Sequence, residues 1–430
     1  MSGRAAHRAI DAVWRIESAK LIARLATMVR DVGLAEDLAQ DALLIALERW
    51  PETGIPDNPG AWLMTTAKRR AIDLLRRNKL RDRKYEEYGR ASPLFTEDDV
   101  ETETGEIGDE LLRLIFATCH PSLSREARVA LTLRLLGGLT TDEIAHAYLV
   151  PEPTVAQRIV RAKKTLSASG VKLDVPEGKE LEERLSSVLE VVYLMYNEGY
   201  SATAGGSWIR PTLCQEALRL GRMLAEVAPR EPEVHGLVAL MEIQSSRFKT
   251  RVGPSGEPIL LMDQNRALWD RLLIRRGLAA LERARSLGRP LGPYALQAAI
   301  AACHAQALTP GDTDWARIAA LYEALSRAAP SPVVELNRAV AIAMAFGPAI
   351  GLQIVDQLAD EPALKGYYLL PSVRGDLLAK LGRMEEARAA FERAASMTQN
   401  LREQDLMRRR AAECAARDAG DKDGSPRETV

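Results

Sequence analysis

Apolar side chains recur at three- and four-residue intervals along almost all of this 430-residue chain, and no run alternates as a strand would. A period near 3.6 puts those residues on one face of a helix and cannot be satisfied by a pleated strand, so the chain is confined to an all-α architecture. Ala, Leu, Arg and Glu dominate, as that architecture requires. With 47% hydrophobic and 27% charged residues the chain can bury a sizeable core, and its length suits two to four domains. The formal charge of −1 excludes a globally basic nucleic-acid binder, so any such role must reside in local patches. Cys119, Cys214, Cys303 and Cys414 lie too far apart for a CxxC pair or a Cys/His cluster, which argues against structural zinc and a disulfide framework. No apolar run has the length of a signal peptide or of a membrane span, so a cytoplasmic protein without a membrane partner is expected.

Charge divides the first half of the chain. Leu21, Leu25, Met28 and Val29 form one apolar stripe, and Leu38, Ala42, Ile45 and Leu47 form another, which predicts two helices joined at Asp31 to Ala35. Trp50 to Pro59, with three prolines and a glycine, is expected to be a loop. The helical pattern resumes at Ala61, with Trp62, Leu63, Ala67, Ile72 and Leu75 at core spacing, and between Thr65 and Lys84 it carries nine cations against two aspartates. So dense a basic block points to a polyanion partner, although a solvated helix face would show the same residues. From Tyr85 to Glu110 the balance reverses to ten acids against Arg90, a composition that cannot build a core and reads as a linker.

The segment TTDEIAHAYLVPEPTVAQRIVRAKK, Thr140 to Lys164, reads as a helix-turn-helix. Thr140 and Glu143 have capping-box spacing, Leu149 to Pro151 interrupts the helix, and Pro153 falls in the first turn of the next, where its missing N–H costs little. Val155 and Ile159 then share an inner face, leaving Thr154, Gln157, Arg158, Arg161 and Lys164 to point elsewhere. Gln and Arg suit bidentate reading of adenine and guanine edges, and later cations suit phosphates. A plain helical hairpin with a basic face is the competing reading of this segment.

The order GLAEDLAQDALLIALERW, loop, NPGAWLMTTAKRRAIDLLRR, acidic linker and helix-turn-helix resembles a group IV, or extracytoplasmic-function, bacterial RNA polymerase sigma factor. The resemblance covers about Glu17 to Leu166, and the remainder is similar to the subgroup with a long tetratricopeptide-like extension. It implies sigma region 2 at 1–84, the acidic linker at 85–110, sigma region 4 at 111–169, a helical repeat extension at 181–417 and a disordered tail at 418–430. It also implies that Asp37, Gln40 and Asp41 meet the β′ clamp of core RNA polymerase. Ile55, Pro56, Asp57 and Asn58 would form the loop selecting bases of the −10 element, with Lys68, Arg69, Arg76 and Arg77 along the strand backbone. Thr154, Gln157 and Arg158 would read base edges of the −35 element, and Arg161 and Lys164 would hold phosphates. The linker would thread a polymerase channel as a nucleic-acid mimic, the β subunit being the other core surface involved, or would serve only as a soluble spacer. Leu149 stands where many relatives have Gly, and Pro151 where they have a Ser cap, which leaves the start of the reading helix open.

The extension has one clear repeat unit, Gly375, Leu378, Gly382, Ala387, Phe391 and Ala394, and weaker ones at Gly351, Val355 and Leu358 and at Ile318, Tyr322 and Leu325. Such hairpins make protein-binding surfaces, so a regulatory role with a protein partner is expected. An enzyme is disfavoured, because the five histidines are scattered and no nucleophile, base and orienting group assemble; no cofactor or metal is expected. Cys119 beside His120 reads as a buried thiol, and NEGYSA, with Asn197, Glu198, Tyr200 and Ser201, as a turn between helices or a small polar site. The alternative function is a helix-turn-helix regulator on a tetratricopeptide-like scaffold.

Overall fold

A computed structural model describes residues 3–86, 107–148, 150–171, 173–176, 178–201, 209–254, 256–398 and 400–423. Among them there is no strand, and an isolated bridge joins Val252 and Pro258, so the fold is all-α as its periodicity requires. The chain divides into two compact units at Met195/Tyr196.

The first unit opens with α1 (Gly3–Val29), α2 (Val32–Thr53) and α3 (Pro59–Glu86). Arg30 takes a left-handed φ of 53°, and the Asp31 side chain accepts the Leu34 amide to start α2. Leu21, Leu25, Leu38, Ala42, Leu63 and Ala67 fill the core between these helices. The proline-rich loop is shorter than its composition suggests. Helix α2 continues through Pro51, one turn from its end, where a missing N–H forfeits a single bond while Trp50 stays buried. It stops at Gly54, whose φ of 85° suits glycine and whose amide donates to the Trp50 carbonyl.

The same unit continues with α4 (Ile107–Thr118), α5 (Arg125–Leu135), α6 (Thr141–Tyr148) and α7 (Glu152–Ala168). The expected acidic linker lies largely at 87–106, outside the described residues. Its last residues are already helical in α4, and Glu110 is buried 4.0 Å from Arg24 of α1. Next comes α8 (Gly178–Tyr200), which crosses the boundary between units, whereas the sequence suggested a break at 170–180. The first part of α8 is tied to the end of α4 and to α5: Arg184 donates to the Phe116 carbonyl at 2.9 Å and Ser187 to the Cys119 carbonyl at 2.9 Å. Arg125 pairs with Glu190 at 2.8 Å.

The second unit runs from the end of α8 through α9 (Pro211–Val227), α10 (Pro232–Ser245), the single turn α11 (Phe248–Arg251), α12 (Arg271–Ser286), α13 (Pro293–Gln306), α14 (Trp315–Ala328), α15 (Pro332–Phe346), α16 (Pro348–Gln357), α17 (Leu369–Lys380), α18 (Met384–Met397) and α19 (Leu401–Asp423). Its later part is a series of antiparallel hairpins. A Cβ on Gly375 would stand 3.0 Å from the Phe391 ring, so the glycine lets α17 and α18 meet, and Leu378, Ala387, Phe391 and Ala394 are all buried there. Gly351 does the same for α16 against Ala339 and Ala343 of α15. Helix α19 passes the expected end at Arg417 and is described to Asp423. Residues 424–430 lie outside the described residues.

Candidate nucleic-acid interface

The helix-turn-helix is capped as its sequence requires. The Thr140 amide donates to Glu143 Oε2 at 2.8 Å and the Glu143 amide to Thr140 Oγ1 at 3.1 Å, a reciprocal capping box that starts α6. Helix α7 follows from an N-cap at Pro151 with Pro153 in its first turn, and no side chain caps it. Leu149 lies outside the described residues. Val155, Ile159, Ala162 and Leu166 are buried, which sets the inner face. Gln157, Arg161 and Lys164 are exposed, while Thr154 and Arg158 are half-buried toward one flank. Arg158 is near enough to Glu126 of α5 to help hold that carboxyl below its usual range, after the larger effects of Glu126's own amide and Ser124.

The basic helix α3 begins at Asn58, whose side chain accepts the Ala61 amide at 3.0 Å. That hydrogen bond uses the side-chain oxygen of a residue assigned to the base-selecting loop. Ile55 and Pro56 are half-buried, and Asp57 and Asn58 are exposed. Trp62 is half-buried and packs edge-on against buried Trp50 with ring centroids 5.3 Å apart, so its ring is held at the edge of the core. Arg69, Arg76 and Arg77 are exposed and Lys68 half-buried. The side chains of Lys79, Arg81, Arg83 and Lys84 are outside the description.

The acidic residues of α2 are drawn into internal contacts. Asp41 pairs with Arg70 of α3, both about half exposed. Gln40 donates to Glu36 Oε1 at 2.8 Å, and Asp37, itself 72% exposed, lies 4.0 Å from Lys163 of α7. Glu36 was not anticipated from sequence. Its side chain is only 4% exposed and is held by Arg134 of α5 at 2.8 Å and by Lys163 at 2.5 Å, the latter a charge contact without hydrogen-bond alignment. The available signal was its register: Val32, Ala35, Ala39, Ala42, Ala46 and Trp50 form the buried stripe of α2, and Glu36 falls on it. A carboxylate on such a stripe needs a cation from elsewhere.

Other polar candidates divide. All four cysteines are reduced and buried, and burial pushes the Cys119 thiol up to about 11 despite its hydrogen-bond contacts with Thr132 and Thr118. No group of three or more His, Cys, Asp or Glu could hold a metal ion among the described residues. In NEGYSA, Glu198 is buried 3.5 Å from Arg210, the Arg251 guanidinium lies 3.5 Å from the Tyr200 ring centre, and Arg247 donates to the Tyr200 hydroxyl, while Asn197 is exposed. The motif therefore ties the end of α8 to the N-caps of α9 and α11 and to α11 itself.

An acidic helix, a short loop and a basic helix followed by a capped helix-turn-helix define the sigma-70 class of transcription factor. Residues 16–81 match the family Sigma-70 region 2, residues 113–166 match Sigma-70, region 4, and residues 184–285 match a family of unknown function, DUF6596. SigK of Mycobacterium ulcerans (strain Agy99), an ECF RNA polymerase sigma factor, is 30% identical over 146 residues, 33% of this chain and 75% of that protein. SigK of Mycobacterium sp. (strain KMS) is 32% identical over 136 residues, 31% of this chain and 67% of that one. An uncharacterized protein of Rhizobium meliloti (strain 1021) is 42% identical over 396 residues, 91% of this chain and 92% of its own length, so the likeness to it includes the extension. The chain belongs to the extracytoplasmic-function RNA polymerase sigma factors, a bacterial, DNA-binding and generally non-enzymatic family. No helix among the described residues is long and apolar enough to cross a membrane.

Proposed function

We propose that this sigma factor binds core RNA polymerase through α2, directs promoter-specific initiation in the cytoplasm, and is regulated by its C-terminal unit. The observation that carries the reading is the joint presence, in one compact unit, of the α2–loop–α3 arrangement and the capped helix-turn-helix. Asp37 and Asp41 offer carboxylates to the basic groups of the β′ clamp, with Gln40 beside them. The Asp41–Arg70 pair is half-exposed, and such pairs are worth little in water, so polymerase can replace it.

The loop Ile55 to Asn58 receives a base of the −10 element, and Lys68, Arg69, Arg76 and Arg77 follow the strand backbone. Helix α7 enters the major groove at the −35 element. Thr154, Gln157 and Arg158 face base edges, and Arg161 and Lys164 take phosphates. The acidic composition between α3 and α4 suits a polymerase channel lined for nucleic acid, the β subunit being the other core surface involved. The second unit docks a protein partner or contacts the polymerase.

Run-off transcription with core polymerase and the full chain tests this reading. A promoter-dependent transcript is expected, and Asp37→Lys with Asp41→Lys should reduce both core binding and transcript. Absence of any promoter-directed transcript, with core polymerase active on another factor, rejects the reading.

A further inference from the structure

Helix α7 carries one side chain that its solvent-facing side does not explain. Val160 is 50% exposed and is the only exposed large hydrophobic residue on this helix among the described residues. At about 100° per residue, Val160 stands about 60° from Gln157 and about 40° from Lys164, while Arg161 borders the same face. It is about 100° or more from Val155, Ile159, Ala162 and Leu166, the buried stripe. Arg158 is on the opposite flank, about 120° from Lys164, and Lys163, the contact to Glu36, is on the near one.

The exposed face thus has Gln157 and Lys164 at its centre, with Val160 on one side of them and Arg161 on the other, so an apolar branch stands directly beside a polar reader and a cation. Helix formation does not call for Val here, since a β-branched residue is a weaker helix former than Ala, Lys or Arg. Nor does the core, which is filled by the other face. In the major groove the apolar group on a base edge is the C5 methyl of thymine, and an aliphatic side chain meets it by van der Waals contact with loss of water from both.

We propose that Val160 is a specificity-determining residue that reads one thymine of the upstream promoter element through its C5 methyl group. The inference rests on the reading of α7 as the groove-entering helix and adds to it a base identity. Gln157, one turn earlier on the same face, then reads the neighbouring pair, and Lys164 secures the backbone beyond.

The test uses holoenzyme assembled from the full chain and core polymerase. A preferred upstream sequence is first selected from randomised DNA, and each thymine in it is then replaced singly by deoxyuridine, which lacks only the methyl group. At one position the wild-type holoenzyme should lose roughly fourfold in affinity, the worth of one buried methyl group. Val160→Ala should bind the thymine and uracil versions equally, and Val160→Ile should still discriminate. Because Val160 is half-exposed and Ala favours the helix, the Ala variant keeps its fold, which its melting curve checks. The proposal is overturned if no uracil replacement affects the wild type although the selected DNA is still preferred, or if Val160→Ala discriminates as the wild type does. Either outcome leaves α7 as a DNA-reading helix. If no preferred upstream sequence emerges at all, the reading of α7 fails and takes the proposal with it.

Discussion

Two buried ionisable groups show what a single residue decides in each unit. Glu36 is enclosed, and its two cations are only partly so, with Arg134 and Lys163 side chains 26% and 20% exposed. Removing the carboxylate by Glu36→Ala strands both cations near an apolar stripe. A loss of about 3 kcal/mol is expected in the unfolding of a fragment covering 1–195, the lower end for a broken buried pair because the cations reach water. Loss below about 0.5 kcal/mol in a denaturant titration would show that the contact carries no weight. In the second unit, burial holds His304 down to about 3, with Arg247 and Arg266 adding to the effect, and its ring packs edge-on against Trp315 at 5.2 Å. A histidine depressed in the folded state takes up protons on unfolding, so its share of stability is full above about pH 6.5 and is lost as pH falls toward about 3. Within that window the slope is up to about 1.4 kcal/mol per pH unit. His304→Phe should flatten that dependence in pH-resolved melts, and an unchanged slope would assign it to other groups.

At the scale of elements, the clearest hairpin offers a direct check of the repeat packing. Phe391 is buried between α17 and α18 against Gly375, with the Arg410 guanidinium of α19 4.4 Å from its ring centre. Phe391→Ala should cost about 3 to 5 kcal/mol and fray the array beyond its own hairpin, read as lower melting of the second unit and faster amide exchange in α15 to α19. Opening the capping box by Thr140→Ala should cost about 1 kcal/mol, with weaker binding of upstream promoter DNA as α6 loosens beneath α7. These two elements were legible in sequence because their signals are local: a threonine and a glutamate three apart, and glycine and phenylalanine at fixed offsets in a hairpin. The run of α2 through Pro51 to Gly54 and of α19 past Arg417 was less so, since a proline near a helix end is tolerated and a polar segment can remain helical. The Glu36 contact joins residues 98 and 127 positions apart in sequence (134 − 36 and 163 − 36), and no local pattern encodes which distant cation will meet a stripe carboxylate. Along α7 the periodicity set Val155 and Ile159 on the inner face, where the fold has them, and of the residues it left to point elsewhere Thr154 and Arg158 are half-buried, Arg158 beside α5.

For the whole molecule, the boundary between units matters more than the boundaries between families. The region 4 match ends at residue 166 and the DUF6596 match begins at 184, yet Arg184 and Ser187 complete the packing of Phe116 and Cys119. A chain cut after Ser169 should therefore be less stable and bind upstream DNA more weakly than one cut after Met195, whereas equal melting of the two fragments would make α8 dispensable to the first unit. This shared helix also sets an order of events on the ribosome. Region 4 has all of its family residues once Ala168 has been made, but the side chains that close its core arrive about 20 residues later, a delay of about 1 to 4 s at ordinary elongation rates. During that interval the nascent helix-turn-helix has its caps and its inner stripe but lacks its last wall. The helix that opens the extension thus begins as a structural component of the unit that precedes it.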